Sequence, residues 1–118
     1  MQSAAVDVTP AREEEGMILV MGYMKFAAGE GSKVAPLLAD HAKVVAAEDG
    51  CEFYSFAFDA ADPDLVRIAE RWSDAKALAA HGQAPHQKAF GRTLRDFKME
   101  GIKVDAWEGD YSRNLIGG

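Results

Sequence analysis

The sequence predicts an α+β domain whose elements run β-α-β-β-α-β, with an antiparallel sheet and both helices on one side of it. Three observations carry this. Met17–Phe26 and Cys51–Phe58 are apolar on both alternating faces, which marks strands covered on two sides. Two other stretches repeat their apolar residues at helical spacing. The turn Asp59-Ala60-Ala61-Asp62-Pro63-Asp64 links two strand-like runs directly, as in a hairpin.

The elements follow in order. Met17–Phe26 is the first strand, and Ala27–Gly31 is a loop with two glycines. Ser32 is the expected N-cap of the first helix, with Pro36 in its first turn and Val34, Leu37, Leu38, His41 and Val45 on its inner stripe. Gly50 is suited to end it in a left-handed conformation. In the second strand Tyr54, Phe56 and Phe58 point one way, and Cys51, Phe53, Ser55 and Ala57 the other. Leu65–Trp72 is the third strand. Ser73 is the expected cap of the second helix, which breaks near Gly82–Pro85. Pro85 then opens a second segment with His86, Ala89, Phe90, Thr93, Leu94 and Phe97 inward. Ile102–Tyr111 is the fourth strand.

This order closes most simply as a ferredoxin-like sheet with two helices on one face. The other face, also apolar, then needs a partner, and a second copy of the chain supplies one. A homodimer is therefore expected.

The chain of 118 residues has room for one domain and none for a separate cofactor domain. Hydrophobic residues at 48% and charged residues at 27% fit a folded domain. The net charge of −6 disfavours nucleic acid and anionic membranes as partners. Half of that charge sits in residues 1–16, where four acids face one base, so these residues read as a solvated acidic tail. Residues 17–111 form the domain and 112–118 a C-terminal tail. One cysteine excludes an internal disulfide and fits a reducing, cytoplasmic home. No apolar run approaches the roughly 20 residues of a membrane helix.

Gly29-Glu30-Gly31-Ser32 lacks the third glycine of a dinucleotide fingerprint, since Val34 stands there. P-loop, H-E-x-x-H, C-x-x-C and G-x-S-x-G patterns are missing. The chemistry then falls to His41, His81 and His86, the side chains suited to proton transfer near neutral pH. For each the plainer reading is a hydrogen-bonded structural histidine. His81 and His86 stand five apart across a proline, which is not the spacing of a helical ligand pair, so no metal site is expected. Trp72, with Tyr23, Tyr54, Phe56, Phe58 and Phe90, reads as core packing or as an apolar pocket with a few polar tips.

Glu70-Arg71-Trp72-Ser73-Asp74, then Ala77-Leu78-Ala79-Ala80-His81, then Pro85-His86 and Phe90, resembles the E-x-W…A-L-x-x-H…P-H…F pattern of the antibiotic biosynthesis monooxygenase family. Gly50-Cys51 and Tyr54 are similar to its second-strand entry. The resemblance spans about residues 17–111. It implies a dimeric α+β barrel, a pocket lined by Trp72, and two helix histidines at His81 and His86. Members include cofactor-free oxygenases of phenols and quinols and haem-degrading relatives. The latter use a first-strand asparagine, which Met21-Gly22-Tyr23-Met24 lacks.

The expectation is an oxygenase without added cofactor, acting on a small hydroxylated aromatic or quinol and O₂. His81, His86 and Trp72 are its catalytic candidates, with His81 the first choice of base. Tyr23, His41, Tyr54, Phe56 and Phe90 would line the substrate. A non-catalytic dimeric module that binds a small molecule, or a non-oxidative isomerase or cyclase, would use the same pocket.

Overall fold

The computed structural model describes residues 16–118. Apart from Gly16, the expected acidic tail lies outside the described residues. Seven elements follow: β1 (Met17–Phe26), α1 (Gly31–Ala46), β2 (Cys51–Asp59), β3 (Asp62–Trp72), α2 (Ala75–Gln83), α3 (Pro85–Leu94) and β4 (Met99–Gly109). The strands form one sheet in the order β2-β3-β1-β4, every neighbouring pair antiparallel. This is the expected ferredoxin-like α+β fold, with the second helix split in two. Residues 110–118 carry no regular secondary structure. Among the described residues no helix is long and apolar enough to cross a membrane.

Several boundaries shift for local reasons. Asp62 already pairs with Asp59, so the β2–β3 hairpin turns through Ala60-Ala61 and β3 starts before Leu65. The N-terminus of α1 is held from outside the helix and not by Ser32. Asp64 of β3 accepts from Gly31 N at 2.8 Å and from Gly29 N at 3.1 Å, which satisfies two free backbone donors. Gly31 is needed there, because a Cβ would stand 2.1 Å from the Pro63 carbonyl oxygen. Asp74, and not Ser73, caps α2 by accepting from Ala77 N at 2.8 Å. Ala84 is extended, and Pro85 restarts the chain as the first residue of α3. β4 begins at Met99, ahead of the expected Ile102.

Strand alternation sorts the side chains. Toward the helices, Met24, Phe26, Val66, Ile68, Val34, Leu38 and Phe90 form one buried cluster. Ile18, Val20, Val45 and Trp72 form a second, joined by the partly buried Cys51 and Tyr54. Cys51 was expected on the opposite face from Tyr54. A register shift between Cys51 and Phe53 opposes an extra residue to β3 and turns Cys51 inward. On the other face Leu19, Met21, Phe53 and Trp107 are 39%, 55%, 49% and 54% exposed, and among the described residues no helix covers them.

Candidate functional site

The site is built around Glu48, in the turn that follows α1. Glu48 N donates to Val45 O at 2.9 Å, and Glu48 O accepts from Cys51 N at 3.1 Å, so its backbone is held on both sides. Gly50 in the same turn has φ +80°, and a Cβ on it would lie 2.4 Å from Ala77 Cβ. The turn thus passes close to the start of α2, and the Glu48 side chain reaches the break between α2 and α3. His81, near the end of α2, points its Nδ1 at both carboxylate oxygens, 3.1 Å from each. His86, in the first turn of α3, points its Nε2 at Oε2, 2.5 Å away.

Burial disfavours ionisation of Glu48, but the hydrogen bonds from His86 and His81 together outweigh it and hold its pKa below the ordinary value. An ionised carboxylate only accepts, so both imidazoles donate. A neutral His81 then carries its proton on Nδ1 and a neutral His86 on Nε2, with a lone pair on the far nitrogen of each ring. A carboxylate that fixes an imidazole tautomer in this way also stabilises the cation formed when the ring takes a proton.

An aromatic group surrounds this trio. His41 of α1 is buried, stacks on Phe90 with ring centres 3.7 Å apart, and donates from Nε2 to Gln87 Oε1 at 2.7 Å. Burial lowers its pKa, the Gln87 hydrogen bond acting the other way. The Tyr54 ring lies 5.7 Å from His81, 6.0 Å from His41, 5.3 Å from Phe56 and 6.5 Å from Trp72. Burial and the carboxylates of Glu70 and Glu48 push the Tyr54 hydroxyl far above its ordinary value, so it stays neutral. Trp72 is fully buried, 4.7 Å from His81, and its indole N–H donates to Glu70 Oε1 at 2.8 Å. Burial raises the pKa of Glu70, and this indole hydrogen bond acts against it.

Of the residues singled out in the sequence, His41, Tyr54, Phe56, Trp72, His81, His86 and Phe90 come together. Tyr23 does not. Its neighbour Met24 is buried toward the helices, so Tyr23 faces the opposite side of the sheet, beside Met21, Lys103 and Trp107. Trp72 is fully buried, and its N–H already goes to Glu70. His81 and His86, five apart in sequence, reach one carboxylate because a helix break lies between them.

A groove of about 220 Å³ between α1 and α3 opens at this site, with His41, His86 and Phe90 in its wall. His81 and Trp72 do not line it. Two larger surface hollows, about 410 and 360 Å³, lie at the β2–β3 hairpin and on the open sheet face, and no histidine lines either.

Sequence reasoning missed the roles of Glu48, Glu70 and Gln87. Glu48 stands in Ala-Ala-Glu-Asp-Gly, which reads as a solvated helix end. Glu70 had a signal, the E-x-W spacing, which puts it two residues from Trp72 on the same strand face.

The chain matches the family model described as antibiotic biosynthesis monooxygenase over residues 17–93. No curated protein matches it. Among solved structures it is similar to a candidate antibiotic biosynthesis monooxygenase of Deinococcus radiodurans, at 24% identity and TM-score 0.79 over 85% of this chain and 99% of that one. A second such candidate, from Nitrosomonas europaea, is 19% identical with TM-score 0.75 over 85% and 96%. A Mycobacterium tuberculosis protein is 19% identical with TM-score 0.73 over 83% and 99%. At these identities the structural likeness speaks for the fold alone. The family model covers every element from β1 nearly to the end of α3, including Glu48, Trp72, His81 and His86. By that match the chain belongs to the antibiotic biosynthesis monooxygenase family.

Proposed function

We propose that the protein is a monooxygenase that oxidises a small hydroxylated aromatic or quinol with O₂, using its own side chains and no added cofactor. The observation that carries the reading is the Glu48 carboxylate bound to two imidazoles beside an aromatic groove. Triplet oxygen reacts slowly with closed-shell molecules, so the substrate must be made electron-rich, and loss of a phenolic proton does this. His86 suits the task better than the first-choice His81. Its side chain is 37% exposed against 6% for His81, it borders the groove, and Glu48 leaves its Nδ1 lone pair free. Substrate deprotonation moves one proton to Nδ1, and Glu48 stabilises the resulting imidazolium. The phenolate then passes electrons to O₂. One oxygen atom enters the substrate and the other leaves as water with two hydrogens lost by the substrate, the proton held on His86 among them, so the substrate supplies all four electrons. His81 holds Glu48 from behind, and the stacked His41 and Phe90 form a flat wall for a ring.

The groove volume bears on the substrate. At about 220 Å³ it falls below the roughly 300–1,000 Å³ of pockets for larger ligands. That favours one or two fused rings over a tricyclic phenol. The working unit is a homodimer, with the apolar sheet faces of two copies packed together.

The test is oxygen uptake by metal-stripped protein over a panel of benzene- and naphthalene-diols and a tricyclic anthrol. Uptake with the smaller rings, mass-spectrometric gain of one oxygen atom, and a loss of at least about a hundredfold in kcat for His86→Ala are expected. Ring binding, seen by tryptophan fluorescence, without uptake would favour the binding module instead. Turnover without oxygen gain would favour an isomerase.

A further inference from the structure

We propose that Glu48, His81 and His86 form a three-ligand site for a divalent transition ion of the zinc class, and that the bound ion switches off proton abstraction by His86.

The donor set is the first argument. Two imidazole nitrogens and one carboxylate oxygen are a set that binds zinc and metals of similar softness while leaving a coordination position open. The three ligand atoms lie within 4.8 Å of one another. Ligand atoms bound at about 2.0–2.1 Å in a tetrahedral arrangement stand roughly 3.3 Å apart. The Glu48 Oε2 to His81 Nδ1 separation of 3.1 Å is near that value, and a turn of the half-buried His86 ring would adjust its 2.5 Å separation from Oε2 and bring all three atoms, now within 4.8 Å, onto one ion.

Rigidity is the second argument. The ligands come from three fixed places: the turn after α1, the end of α2 and the first turn of α3. His81 is clamped against Trp72 and Tyr54, so it cannot swing away. His86 and the open groove give an ion its way in.

The switch follows from the tautomers. Without metal, His86 carries its proton on Nε2 and can accept one at Nδ1. A metal takes the Nε2 lone pair, so the proton of the neutral ring moves to Nδ1. The atom that would accept the substrate proton is then already protonated. The nitrogen that donates to Glu48 is thus the nitrogen that binds metal, and occupancy and base function exclude each other. The binding claim stands on these side chains alone, and only the inhibition rests on the proposed function.

The experiment titrates metal-stripped protein with Zn²⁺ alone by equilibrium dialysis with elemental analysis, and with Co²⁺ by visible absorption. One ion per chain is expected, with the intense bands of low-coordinate Co²⁺. Glu48→Gln and His86→Ala should each weaken binding by at least about tenfold, the lower end of what loss of even a supporting group does to a metal site. His86 is only half-buried, so its variant keeps the test available if Glu48→Gln fails to fold. The binding claim is overturned if the wild type takes up no stoichiometric Zn²⁺, or if both variants bind as tightly as the wild type. Where the wild type consumes oxygen, Zn²⁺ should abolish uptake with the same affinity. Stoichiometric Zn²⁺ that leaves uptake intact would overturn the switch. Dialysis decides the binding claim even if no substrate is ever oxidised.

Discussion

At the scale of single residues, the site depends on polar groups that are buried only because each has a partner. Trp72 shows this most sharply. Its indole N–H is the hydrogen-bond donor to the side chain of Glu70, a residue only 8% exposed. Trp72→Phe keeps a ring in the core but leaves that carboxyl without its indole donor and opens a small void. The expected loss is about 2–4 kcal/mol, from the stranded acceptor and the missing volume. Urea denaturation of the two proteins measures it. A loss under about 1 kcal/mol would mean that the Glu70–Trp72 bond contributes little. This pair also marks how far the site could be read in advance. The histidines, Tyr54, Phe56, Trp72 and Phe90 announced themselves by residue type and position. Glu48 did not, because an exposed-looking Glu after a helix has no local pattern that tells it from a solvated one. Only folding brings it to His81 and His86, 33 and 38 residues away.

At the scale of elements, alternation and helical spacing made most of the fold legible. The element order and the inward stripes of α1 and, apart from the exposed Thr93, of α3 follow from periods of two and 3.6 residues, the hairpin from its turn residues and the break from Gly82–Pro85. Where the reading slipped, a tertiary contact had overridden local preference. Asp64 caps α1 across space, so Ser32 was the wrong cap. The bulge at the start of β2 reversed Cys51, because one extra residue in a strand flips the side chain to the other face. Gly50 was expected to end α1, which instead closes at Ala47. The left-handed Gly50 serves the turn between Glu48 and Cys51, where a side chain would strike Ala77. The break between α2 and α3 has the largest consequence. One continuous helix would place His81 and His86 on different sides, since five residues turn it by about 500°. Ala84 and Pro85 redirect the chain and let both rings reach one carboxylate.

At the scale of the whole molecule, the sheet has a helix-covered face that carries the site and a face that no helix among the described residues covers. On the latter Leu19 pairs in register with Trp107 on one side and with Arg71 on the other, and Arg71 pairs with Phe53. The apolar side chains therefore form one patch with charges among them, as at interfaces. Sedimentation should show a dimer at micromolar concentration. Met21→Glu should raise the dimer dissociation constant by at least about a hundredfold, because a symmetric contact buries two carboxylates at once. A wild-type monomer would contradict the dimer.

The central claim is that one ionised carboxylate sets the tautomers of two histidines and so prepares one of them to take a proton. Long-range proton–nitrogen correlation spectra of metal-free protein, at a mildly alkaline pH where free imidazole is neutral, read those tautomers directly. The account predicts His81 protonated at Nδ1 and His86 protonated at Nε2. Finding His86 with its proton on Nδ1, or His81 with its proton on Nε2, would contradict it.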